Sequence, residues 1–169
     1  NEALKKQVDE LEHVIFTNFS HKPAIELARE LEKLLPPGLT KFTFHDNGSS
    51  AVEAAMKMAF QYHYQTGHKE RTRFMCLPES YHGETIGALS VGSMDLYAKI
   101  FHPMLMDNIH FDGLDCYRCP YHKTRETCDV DCFESAEEAF EKYGKETVAV
   151  IVEPVPVSYT HLTLPTTPY

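Results

Sequence analysis

Three short stretches of this chain set polar and aromatic side chains where strands should end, and the first of them offers phosphate chemistry. It is Asp46-Asn47-Gly48-Ser49-Ser50. Before it, Lys41-Phe42-Thr43-Phe44-His45 alternates polar and apolar residues, which predicts a strand. After it, Val52, Ala55, Met56, Ala59, Phe60 and His63 recur at helical spacing. Between strand and helix, the glycine lets the chain turn sharply and the serines can cap the new helix. Free N–H groups at a helix start attract an anion, phosphate above all. The same residues also describe a plain N-cap with no ligand, and the turn alone does not separate the two readings.

The second stretch lies about thirty residues on. Arg73-Phe74-Met75-Cys76-Leu77-Pro78 predicts a short strand that runs into Glu79-Ser80-Tyr81-His82-Gly83-Glu84-Thr85. An aromatic ring and an imidazole thus sit side by side at the carboxyl end of a strand, where open α/β sheets collect their ligands. The third stretch is Val148-Ala149-Val150-Ile151-Val152, a β-branched run expected of a strand buried on both faces, and it ends in Glu153-Pro154. Phosphate turn, aromatic-imidazole pair and carboxylate are therefore expected on one rim.

The ordered set D-N-G-S-S-A-V-E-A-A-M-K, Y-H-G-E-T and V-I-V-E-P resembles the class III pyridoxal-phosphate aminotransferases, which have the fold-type I architecture. The resemblance implies an α/β fold, a mainly parallel sheet with helices on both faces, forming part of the large cofactor-binding domain. It implies that Gly48 and Ser49 hold the phosphate of pyridoxal 5′-phosphate, with Asn47 beside them. Tyr81 would stack on the pyridine ring, His82 would line the same pocket, and Glu153 would lie near the substrate. Considered alone, Tyr81 is equally a half-buried aromatic at a strand end. The cofactor supplies the electron sink while the protein binds and orients it. A Schiff-base lysine and an acidic partner for the pyridinium nitrogen are also required, and in the family both lie downstream of the E-P strand. This chain contains neither in that context and is expected to be inactive alone. Family members take small-molecule amino donors and keto acceptors and act as homodimers whose active sites borrow residues across the interface.

The resemblance sets residues 1–155 as a partial large domain with a cysteine-bearing insertion at 112–132. Residues 156–169, with Thr160-His161-Leu162-Thr163-Leu164-Pro165-Thr166-Thr167-Pro168, resemble a translated sequencing-adapter read-through and are expected to be non-native. A genuine Thr/Pro-rich tail is the alternative. The chain begins at Asn1 without Met, and an incomplete amino end is expected.

Transamination does not call for the cysteines. Cys116, Cys119, Cys128 and Cys132 form C-x2-C-x8-C-x3-C in a loop expected to hold His110 and His122 as well. Two close thiol pairs suit a tetrahedral zinc ion, and an iron–sulfur cluster uses the same ligands. Any such metal would be structural. Free thiols are the competing reading, and a non-enzymatic zinc-binding module is the competing function. Cys76, alone on a strand, is expected to be a core residue.

The chain has 169 residues, 43% hydrophobic and 24% charged, enough apolar content for a core. A formal charge of −9 argues against nucleic acid, which selects basic surfaces. Neither a signal peptide nor a run of membrane-spanning length is present in it, and a soluble cytoplasmic enzyme is expected. Helices are predicted from Glu2 to His13 on the stripe Leu4, Val8 and Leu11, and from Pro23 on Ala24, Ala28, Leu31 and Leu35. Pro36-Pro37-Gly38 ends the second. The long helix after the phosphate turn should reach about Thr66 and stop at Gly67. A short helix through Ala88, another over Met94 to Phe101, and a last one over Phe133 to Tyr143 complete the alternation. Glu53 and Glu84 fit first-turn acids favoured by the helix dipole, and His45 is expected to pack beneath the turn.

Overall fold

Phe74, Met75 and Cys76 are all buried, and the alternation of their side chains across one strand organises the sheet. Phe74 and Cys76 join Met56, Val91 and Val148 in one core cluster, whereas Met75 joins Ile109 and Ala139 in another. In this computed structural model, residues 1–92, 94–112 and 115–154 are described. They form two compact units, divided after Phe44.

The second unit contains a three-stranded parallel sheet in the order β2-β1-β3, with β1 at Arg73–Cys76, β2 at Ile109–His110 and β3 at Thr147–Ile151. Helices α3 (Gly48–Gln65) and α4 (Ile86–Val91) supply Met56 and Val91 to the first cluster, and α6 (Phe133–Tyr143) supplies Ala139 to the second. The sheet is thus covered on both faces, as an alternation of strands and helices requires. A short helix α5 (Asp95–Ala98) and a 3-10 turn (His102–Met104) lead from α4 towards β2. Among the described residues, no helix is long and apolar enough to cross a membrane.

The long helix ends where its sequence says, with Thr66 as C-cap and Gly67 at φ +93°. Its buried stripe is narrower than expected: Val52, Met56, Ala59 and His63 turn inward, while Ala55 and Phe60 are exposed. His63 Nε2 lies 2.9 Å from the Val148 carbonyl and ties this helix to β3. The last helix matches its prediction, ending at Gly144.

Three expectations need correction. Residues 41–45 run as irregular chain, because alternation proposes a strand but a ladder needs a partner, and none pairs with them among the described residues. The run at β3 is not buried on both faces. As an edge strand it leaves Val150 and Val152 exposed, lining an apolar groove with Phe111, Phe133, Ala136 and Phe140. Strand β2 was not predicted, and His110 lies on it rather than in the cysteine loop. Two ladder residues are too few to carry a periodic signal.

The register of β3 shifts against β1 between Arg73 and Met75. This irregularity lets both Val148 and Ala149 pack against the first cluster.

In the first unit, α1 (Glu2–Glu10) is shorter than expected, since Leu11 turns extended at φ −168°. Leu4 and Val8 on it are exposed. Helix α2 (Lys22–Leu34) has Pro23 in its first turn and half-buries Ala24, Ala28 and Leu31. The tail at 156–169 lies outside the described residues, as do Gly113 and Leu114 at the head of the cysteine loop.

Met75 is fully buried between sheet and α6. Met75→Ala is expected to cost about 2–5 kcal/mol, the range for emptying a packed core position, read as a lowered urea midpoint with unchanged slope.

Candidate functional site

Because the three strands run parallel, their carboxyl ends leave the sheet at one edge, and Cys76 lies opposite both His110 and Ile151 in register. The chain beyond β1 leads to Tyr81 and the chain beyond β3 to Glu153. These meet: the Tyr81 N–H donates to Glu153 Oε2 at 2.9 Å. The start of α3 reaches the same loop, where the Glu84 N–H donates to Ser49 Oγ at 3.3 Å. All three stretches singled out by their residue types therefore converge through hydrogen bonds.

At the phosphate turn, Asn47 is extended, and its Oδ1 accepts from the Ser50 N–H at 2.8 Å. The cap is therefore Asn47 and not a serine, since an N-cap must stand outside the helix and both serines are inside it. Gly48 is the first helical residue, without a positive φ and with open space around it, so the turn is made by Asn47 rather than by glycine freedom. Asn47 satisfies Ser50 and Ala51 through its side chain and carbonyl. Among the described residues, the Gly48 and Ser49 N–H groups remain available to an anion at the positive end of an 18-residue helix. His45 is exposed rather than packed beneath this turn.

The aromatic turn begins at Glu79, held at φ +56°, a left-handed conformation that a non-glycine residue adopts at some cost. Buried Ser80 donates to the Leu77 carbonyl at 2.8 Å and closes the turn. The Tyr81 hydroxyl donates to Glu84 Oε1 at 3.2 Å, and its ring meets Tyr97 edge-on with centroids 5.7 Å apart. Gly83 has φ +128°, and a Cβ there would collide with the Ser49 side chain and lie 3.0 Å from its Cα. Only glycine allows this loop to touch the phosphate-turn helix so closely.

His82 is half-buried, and its Nε2 has no hydrogen-bond partner among the described residues. Burial lowers its pKa, against the raising influence of the Glu153 carboxylate. The ring is therefore held neutral, able to offer one nitrogen to a neighbouring group.

Glu53 departs from its expected role. It does not serve the start of its own helix. Its Oε1 accepts from Thr85 Oγ1, Gly87 N and Ala88 N at 2.7, 2.8 and 3.2 Å, across to the start of α4. Glu84 precedes α4 and bonds Tyr81 instead of occupying a first turn.

The expected metal ligands Cys116, Cys119, Cys128 and Cys132 all lie in one loop between β2 and α6. Among the described residues, which include all four, no group of three or more His, Cys, Asp or Glu could hold a metal ion. Cys116 and Cys128 are exposed, and all the cysteines are free thiols. The loop is organised by other contacts. Asp115 Oδ1 accepts from the Tyr117 and Arg118 amides, and Lys123 donates to Asp131 at 2.9 Å. Burial raises the Cys132 pKa against a backbone hydrogen bond that lowers it, with smaller raising contributions from Cys128, Cys116 and Cys119. The thiols thus feel one another without converging as ligands. Cys76 is a core residue as expected, its thiol pushed up to about 12 by burial.

His82 and His110 both have lowered pKa values, chiefly through burial. On acidification through about 6.5 the unfolded imidazoles take up protons first, so folding stability is full above that pH and falls below it until the folded rings titrate. His82→Gln is expected to shrink this acid-side loss, compared as urea midpoints at about pH 7.5 and about pH 5.5.

The adenosylmethionine-8-amino-7-oxononanoate aminotransferase of Geobacter sulfurreducens is 41% identical over 156 residues, covering 92% of this chain and 34% of its own length. The crystal structure of the enzyme of the same name from Methanocaldococcus jannaschii superposes with a TM-score of 0.76 at 34% identity, over 88% of this chain and 31% of that one. An amine transaminase from an uncultivated Pseudomonas species, solved in its PLP-bound form, gives 0.75 at 32% identity, over 91% of this chain and 36% of that one. The chain thus spans about a third of the length of the curated relatives it matches. The sequence pattern of Aminotransferase class-III matches residues 1–158, and the chain belongs to that family.

Proposed function

We propose that this chain supplies the phosphate turn and the ring-stacking aromatic of a pyridoxal-phosphate site. We further propose that the whole protein moves an amino group from S-adenosylmethionine to 8-amino-7-oxononanoate, giving 7,8-diaminononanoate for biotin. The observation that carries the proposal is the convergence of three stretches, the Tyr81 N–H donating to Glu153 and the Glu84 N–H of the same turn donating to Ser49. The residues fit the cofactor. Gly48 and Ser49 have N–H groups to offer a phosphate, and the orphaned His82 Nε2 lies beside the turn that carries Tyr81. Bound there, pyridoxal phosphate supplies the electron sink for amino transfer.

The chain's own residues bind and orient. Gly48 and Ser49 take the phosphate, with Asn47 fixing the helix start. Tyr81 would stack on the ring, its own tilt limited by Tyr97 and by the hydroxyl bond to Glu84. His82, held neutral, lines the pocket without adding a charge. Glu153, expected near the substrate, acts first on the protein by holding the Tyr81 amide.

Relatives named adenosylmethionine-8-amino-7-oxononanoate aminotransferase favour these substrates. Likeness to an amine transaminase favours the second reading, another ω-aminotransferase, for which we propose ornithine, 4-aminobutyrate or β-alanine as substrate. We extend the proposal to a cytoplasmic homodimer. Leu96 and Ile100 are 81% and 85% exposed, apolar surface that an assembled enzyme would cover.

The longer reading frame carrying residues 1–154, purified with pyridoxal phosphate, is expected to make 7,8-diaminononanoate from 8-amino-7-oxononanoate with S-adenosylmethionine as donor, read by chromatography. Turnover with ornithine, 4-aminobutyrate or β-alanine instead selects the second reading, and absence of any amino transfer refutes both. In that protein Glu153→Leu, which frees the Tyr81 amide, is expected to weaken pyridoxal-phosphate affinity about tenfold, the effect of losing one hydrogen bond to a charged group. The 169-residue chain alone should transfer no amino group and form no borohydride-trapped lysine adduct.

A further inference from the structure

Helix α4 has an N-cap, Thr85, whose side chain does not cap it. The N–H groups that an N-cap normally serves, here Gly87 and Ala88, both donate to Glu53 Oε1, thirty-odd residues earlier on α3. Thr85 turns its hydroxyl onto the same oxygen at 2.7 Å. A carboxylate at a helix N-terminus is also favoured by the dipole. The cap of α4 is thus supplied by another helix.

The spacing on both sides is matched. Ser49 and Glu53 are four residues apart on α3 and lie on one face of it. The glycines they meet, Gly83 and Gly87, are also four apart. A Cβ on Gly83 would collide with Ser49, and one on Gly87 with the Glu53 carboxylate, whose Oε1 would lie 2.6 Å away. The loop between those glycines therefore rests against α3 at two points, and Glu153 holds it at a third through Tyr81.

We propose that Glu53 is a positioning residue: its carboxylate fixes the register of the Tyr81–Thr85 turn against the phosphate-turn helix and so sets the aromatic ring relative to the anion site. It touches neither reacting atoms nor cofactor, and acts through the turn. The functional consequence rests on the pyridoxal-phosphate reading above; the mechanical one does not.

Two measurements on the full 169-residue chain separate them. Amide hydrogen exchange tests the register. Glu53→Leu is expected to speed exchange at Glu84, Gly87 and Ala88 about tenfold, the scale of a lost N-cap, while Phe74 to Cys76 exchange as before. Glu53→Gln keeps an acceptor oxygen and should recover most of the protection. Gly87→Ala should displace the carboxylate and reproduce the effect, adding little when combined with Glu53→Leu.

Titration with pyridoxal phosphate, followed by calorimetry, tests the consequence: affinity should fall about tenfold in Glu53→Leu and be largely restored in Glu53→Gln. Unchanged exchange in Glu53→Leu, or equal damage from Leu and Gln, overturns the proposal. Altered exchange with unaltered affinity overturns the link to the cofactor. A wild-type chain that binds no pyridoxal phosphate counts against the functional reading, and the exchange comparison still decides the role of Glu53.

Discussion

The hydrogen bond from the Tyr81 amide to the Glu153 carboxylate is the constraint on which the site depends. It joins the chain leaving β1 to the chain leaving β3, two segments 72 residues apart. A charged acceptor makes such a bond stronger than a neutral one, and the half-buried setting of Glu153 limits competition from water. It anchors the turn carrying Tyr81 and His82 on the β3 side, opposite the contacts that turn makes with α3. The parallel sheet supplies the other half of the constraint, because strands running the same way must deliver their ends to the same edge.

On the helix side, attachment depends on glycine more than on polar groups. Gly83 adopts a φ reserved for glycine and presents no Cβ to Ser49, and Gly87 leaves room for the Glu53 carboxylate. Close backbone approach makes short hydrogen bonds from α3 possible, so steric and polar terms reinforce one another. The sheet core beneath is divided between two faces, and Met75 joins α6 to β2 on one of them. The turn carrying Tyr81 and His82 consequently stands on a packed base.

The cysteine loop is organised by more than its spacing. C-x2-C-x8-C-x3-C permits four thiols to meet, but permission is not geometry. Asp115 and Lys123 organise the segment by bonds that no ligand pattern encodes. The predicted strand at 41–45 failed because alternation describes one strand while a ladder needs two. Glu53 was misread because local propensity considers only a residue's own helix, and its partners lie across the fold.

What the sequence by itself determined is local or periodic: the extent of the long and last helices, β1 and β3, and the polar tips that follow them. The motifs D-N-G-S-S, Y-H-G-E-T and V-E-P were legible because turn and cap chemistry is written in neighbouring residues. Tertiary structure alone decided that Asn47 rather than a serine caps α3, that Ser49 and Glu53 grip the aromatic turn, and that Glu153 holds a backbone amide. Each of these is a contact between side chains and amides far apart in sequence or a choice between adjacent caps. Such outcomes follow from which donors packing brings within about 3 Å, a quantity no one-dimensional pattern contains.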